Sequence, residues 1–337
     1  MVVPVKFVVA CAAADDIFVI ATIPDELPVD AEFTRIYYLC PDTESVWHYR
    51  DWPNEQVVSV CLRRARDGVK RAACALTGEG DIEIANSSGQ TYEKIIGAGL
   101  SGERALGAVT RIQEIGSTLF VCGSFGQVYR RDETGWTPID SDLVKRGESA
   151  LSSSFSDSAS ISDSMLRQLT QSLQKAPNFN DIGGLTETDV YVCGNGGNLF
   201  HFDGLTWTKI ETGTSSILTS LHCVSSDEIL VAGKDGVVLS GNVRSGFRNL
   251  GEFFPGSYIW SVRKFKEKIY LGTLQGLYVL EGSRIRLLTS EKLDGKAQII
   301  SLGNVSDNYL WISTDRHAFR YDGESFTFYQ HGDNTAY

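Results

Sequence analysis

What this sequence has little of removes several classes of protein. It has no CxxC pair: seven cysteines stand far apart at 11, 40, 61, 74, 122, 193 and 223. An odd, scattered set fits neither a disulfide framework nor a zinc ribbon, and reads as reduced thiols of a cytoplasmic protein. Charges and glycines interrupt every apolar run before it approaches the roughly 20 residues that cross a bilayer. The opening stretch 2–14 has no basic segment ahead of it and runs into Asp15-Asp16, which suits a buried strand better than a secretory leader. Basic charge is also scarce. Thirty-one Lys and Arg face 42 Asp and Glu, a net charge of -11, which argues against nucleic acid or anionic lipid and would steer a basic protein inward. Five histidines show no HxxxH or HExxH spacing, so neither a metal nor a cofactor is expected. Only eight prolines and two methionines occur against 33 glycines, as in a globular chain with many turns.

What is abundant is repetition. Phe120-Val-Cys-Gly-Ser-Phe-Gly-Gln-Val-Tyr129 matches Tyr191-Val-Cys-Gly-Asn-Gly-Gly-Asn-Leu-Phe200, and further copies begin at Leu230, Tyr270 and Trp311. Gly197, Gly236 and Gly276 are 39 and 40 residues apart. Each copy holds a β-rich run, a turn usually containing glycine and a second alternating run, the pattern of a hairpin. A third strand follows, often with an aromatic after a polar turn, as at Trp136, Trp207 and Phe326. A short apolar strand precedes each hairpin, as at 217–224 and 259–265. Four strands in about 40 residues describe a blade of a propeller, in which radial stacking buries both faces of each small sheet.

Two degenerate units at 8–52 and 57–96 bring the count to seven, so the expected fold is all-β, a seven-bladed β-propeller spanning 1–337 as one domain. Val5 to Val9 is expected to lend a strand to the last blade and close the ring. The blade pattern resembles that of bacterial propellers related to WD-repeat, kelch and sialidase-type families. That resemblance implies the fold and says little about function, because propellers host enzymes and scaffolds alike.

One segment breaks the period. Gly126 and Gly197 are 71 residues apart, which marks an insert at 145–178 after blade 3. Its first half is serine-rich and too polar to order itself by burial. Its second half aligns Met165, Leu166, Leu169 and Leu173 on one face of a short helix capped by Asp163 or Ser164. That face either covers the propeller flank or docks in a partner.

Chemistry-bearing patterns are weak. Cys122 and Cys193 share a register that Ala232 fills in the next repeat, a small buried position rather than a nucleophile. His201 and His317 fall near hairpins, where they satisfy backbone groups. Carboxylate pairs at Asp15-Asp16, Asp25-Glu26 and Asp140 with Asp142 meet the composition of a glycosidase site, yet such pairs are common on an acidic surface. Residues 1–60 hold ten acidic and three basic side chains among many aromatics, and acids beside aromatics suit a basic protein surface. The candidate partner-binding residues are therefore Asp15, Asp16, Asp25, Glu26, Trp47 and Trp52, with Met165, Leu169 and Leu173 of the insert. The expectation is a non-enzymatic, protein-binding propeller that resembles in style an immunity protein occluding a basic toxin. An enzyme or carbohydrate binder using the central channel, and an assembly scaffold, are the other two readings.

Overall fold

The computed structural model describes residues 3–28, 30–144, 177–253 and 256–334. They form seven four-stranded antiparallel sheets, each with its strands in chain order. The blades, I to VII, span 5–53, 57–94, 109–138, 179–210, 218–252, 259–288 and 299–330. Residues 145–176, with Met165, Leu169 and Leu173, lie outside the described residues.

The repeated hairpin follows from its turn. In blade IV, Gly196 and Gly197 at 195–197 take φ of 69° and 70°. A Cβ on Gly197 would come within 1.9 Å of the Thr214 carbonyl oxygen, so that position admits only glycine. In blade III the residue matching Gly196 is Phe125, which takes the same left-handed conformation at φ 57°; its N–H is held by the Asn178 side chain at 3.0 Å.

Between blades, large side chains of successive second strands share buried clusters. Phe120 is buried with Val190, Tyr191 with Ile229 and Tyr270 with Leu310, and Ile269 packs half-buried against the cluster of Leu230. Trp311 lies flat on Phe18 at 5.0 Å between blades VII and I. Blade II contributes smaller residues: Cys74 is buried with Leu119, and at the I/II junction Val19 is buried with Val57, Val60 and Ala75 while Ala73 packs half-buried against them.

Ring closure differs from expectation. Val5 to Val9 adds no strand to the last blade; these residues open the innermost strand of blade I, Val5–Ala14, which pairs with Ile17–Pro24. Closure rests on side chains instead. Asn334 accepts the Val5 N–H at 2.9 Å and donates to the carbonyls of Val5 at 3.0 Å and Arg316 at 2.8 Å. Trp311 Nε1 donates to the Ala14 carbonyl at 2.9 Å, and Phe7 N–H to that of Asp315 at 2.8 Å. A shared strand is dispensable here because polar clasps and an aromatic stack hold both ends of the seam.

Candidate functional site

All seven innermost strands carry a bulge near their start, where the ladder skips one residue: Val8, Val58, Thr110, Asn180, Thr219, Trp260 and Ile300. A bulge re-aims a side chain, and here all seven line one cavity of about 620 Å³ at the mouth of the central channel. The ring is two-sided. Trp260, Ile300, Val8 and Val58 make an apolar arc, and Thr110, Asn180 and Thr219 make a polar one. Trp260 is 40% exposed and stacks on Tyr258 at 5.1 Å, while the Lys234 ammonium sits 5.8 Å from the Tyr258 ring centre.

In blades II to VII the residue after the bulge holds the ring together; in blade I that position is the apolar Val9. Oγ of Ser59, Ser220, Ser261 and Ser301 accepts the main-chain N–H of Ile112, Val262, Leu302 and Ala10 in the following blade, at 3.1, 3.2, 3.1 and 3.4 Å. Asp181 does the same for Leu221 at 2.9 Å. Arg111 occupies this register in blade III and pairs with Asp181 at 3.0 Å.

These groups are committed to structure. Asp181 also accepts the Ile182 N–H at 3.0 Å, so its lone pairs are engaged. Arg263, deeper in the channel, donates to the Val262 carbonyl at 2.8 Å, and burial lowers its pKa to about 10, with Asp181 opposing. His222 Nδ1 accepts the Lys264 N–H at 2.9 Å, and burial pushes the imidazole down to about 3. Burial lifts the Cys11 thiol to about 12 and raises Cys122 and Cys193 as well, which keeps them protonated and poor nucleophiles at neutral pH. Asp140 takes both Arg104 Nη atoms at 2.8 and 2.7 Å and the Val128 N–H at 2.8 Å. Among the described residues, no three His, Cys, Asp or Glu are grouped to hold a metal ion. Of these charged groups, Arg111 and Asp181 line the mouth, and they pair with each other.

His222 predicts a pH effect. Its folded pKa lies below the unfolded value of about 6.5, so between pH 6.5 and about 3 the unfolded chain binds the extra proton. Its contribution is complete above that window and is lost as pH falls through it. Urea titrations at pH 7, 5.5 and 4 are expected to show stability falling with pH, and less steeply for His222→Asn. Parallel slopes would show that His222 plays no part.

The structure separates the residues expected from sequence. Asp15-Asp16 and Asp25-Glu26 lie beyond opposite ends of the strand Ile17–Pro24, itself about 23 Å long at 3.3 Å per residue, so they form no single patch. Asp15 accepts the Ser306 hydroxyl and the Asn308 amide at 2.8 Å, and Asp25 pairs with Arg316 at 2.7 Å, both across the I/VII seam. Asp16 and Glu26 are exposed. Trp47 packs into the same seam against Phe7, Tyr37 and His331. Trp52 is half-buried beside Tyr92 at 6.1 Å. Of these, Asp25 and Glu26 lie at the mouth's end of the strands. Tyr258, Trp260 and the bulge ring escaped the sequence reading. Their signal was the triplet of apolar residue, variable residue and serine or charge at 57–59, 109–111, 179–181, 218–220, 259–261 and 299–301, which repeats with the blade period.

Over 241 residues the chain is 23% identical to the immune protein Tsi7 of Pseudomonas aeruginosa, covering 71% of this chain and 70% of that protein. No protein-family model matches. The WD40 β-propeller domain of Doa1 superposes with a TM-score of 0.64 at 10% identity, over 99% of this chain and 96% of that one. YCF48, in a structure bound to D1 peptide, superposes with a TM-score of 0.61 at 9% identity, over 96% and 95%. At those identities the two structures speak for the fold alone.

Proposed function

We propose that this propeller is a protein-binding module with an immunity-like role, which takes a basic protein partner of the cytoplasm on the channel-mouth face and occludes it. The likeness to an immune protein across 71% of the chain carries this reading. The geometry supports a place for the contact. Exposed Trp260, stacked on half-buried Tyr258 beside a concave mouth, suits an anchor residue. The loop after Pro24 sets Asp25, Glu26, Asp30 and Glu32 at the same end of the strands, all exposed. Acids around an apolar anchor steer and orient a cationic surface. The engagement of Asp181, Arg263 and His222 weighs against the enzyme reading.

Affinity capture of the tagged protein from its native cell, at low and moderate salt, tests the proposal. One stoichiometric basic protein is expected, with retention falling as salt screens the contact. Recovery of bait alone at both salts would sink the reading.

A further inference from the structure

A second recess lies away from the channel, between blades I and II. Where other second strands carry Phe120, Tyr191, Leu230, Tyr270 or Trp311, those of blades I and II carry Val19 and Cys74 in that register, with half-buried Ala73 beside Val19. Beside them lies a groove of about 990 Å³ whose lining includes five alanines (13, 65, 72, 73 and 85) with Ile17, Val19 and Leu62. It sits toward the Asp15-Asp16 end of the strands, opposite the channel mouth.

Its charge is one-sided. The lining includes His48, Arg50, Lys70 and Arg71 and contains no Asp or Glu, in a chain that carries 11 more acidic than basic side chains. Arg50 is occupied by Glu83 and the Tyr38 hydroxyl, and Lys70 by the Ser88 hydroxyl. Arg71 is exposed. Cys40, at the groove, has its thiol raised by burial and then by Asp16, and lowered by Arg71, so one acid stands near this basic end.

We infer that the groove is a binding site for a free amphiphile with an apolar chain and an anionic head, the chain lying on the alanine wall and the head meeting Arg71 and Lys70. An apolar cleft of this size with a few polar groups at one edge is the usual form of a small-molecule site. A recess walled by alanines, rather than a projecting apolar patch, favours a single chain entering over a bilayer surface. The inference does not rest on the partner reading, because the groove and the mouth lie at opposite ends of the strands.

Calorimetric titration with dodecanoate below its micellar concentration tests it, with dodecyltrimethylammonium as the cation of equal chain length. Dodecanoate is expected to bind one per chain, at least tenfold more tightly than the cation. Ala73→Leu should fill the groove and weaken dodecanoate at least tenfold. It should fold normally, because Leu119 and Leu310 hold the same register in blades III and VII. Arg71→Glu, at an exposed position, should weaken dodecanoate about fivefold. Absence of saturable binding, equal binding of the two head groups, or an unchanged affinity in Ala73→Leu overturns the inference.

Discussion

Trp260→Ala is expected to weaken partner binding at least thirtyfold while leaving the melting temperature within about 1 °C. Truncation of a central aromatic anchor costs about 2 kcal/mol or more, and about 1.4 kcal/mol is a factor of ten in affinity. The fold should tolerate the change, because the Trp260 side chain is aimed out of its sheet by the bulge and its main ring contact is Tyr258. Trp47→Ala supplies the contrast. Trp47 is wedged between Phe7, Tyr37 and His331 at the I/VII seam, and loss of a packed tryptophan costs about 3 kcal/mol. Its variant should unfold earlier yet bind normally once folded. Calorimetry and surface-immobilised binding on both variants separate the roles, and an undiminished affinity in Trp260→Ala would remove the mouth from the interface.

Asn334→Ala should have the largest effect on stability for its size, about 3 kcal/mol. Asn334 is fully buried, and its loss strands the Val5 N–H and two carbonyls that it now satisfies. Each buried group left without a partner costs about 1–3 kcal/mol. In a chain of this length that corresponds to roughly 5 °C in melting temperature. Glu211→Ala, at an exposed position, should change it by less than about 1 °C. Because the seam is a contact between the two chain ends, urea unfolding of Asn334→Ala is also expected to broaden if blades I and VII part first. A melting temperature equal to wild type would mean that the Trp311–Phe18 stack and the Arg316–Asp25 pair close the ring alone.

Much of the architecture was legible before any coordinates. Blade number, the near-constant period and the buried Cys122 and Cys193 register follow from local pattern, since each blade is one contiguous four-strand unit and alternation marks its buried faces. The seam was misread for an equally physical reason. Val5 to Val9 is apolar enough to pair on either side of the junction, and the decision belongs to Asn334 and Trp311, about 300 residues away.

The candidate site was legible only in fragments. Aromatic and acidic density drew attention to blade I, but Trp47 and Asp15 are used within the fold, and composition cannot distinguish a residue that faces a neighbour from one that faces solvent. Trp260 lies within the apolar strand expected at 259–265, and strict alternation gives no warning of the bulge that turns it outward. The sequence alone determined the repeat, the seven sheets and the acidic charge, all of which depend on neighbours along the chain. Tertiary structure alone decided which bulged residues meet around the channel, how the ring is clasped and where the I/II groove opens, because those depend on side chains that only radial stacking brings together.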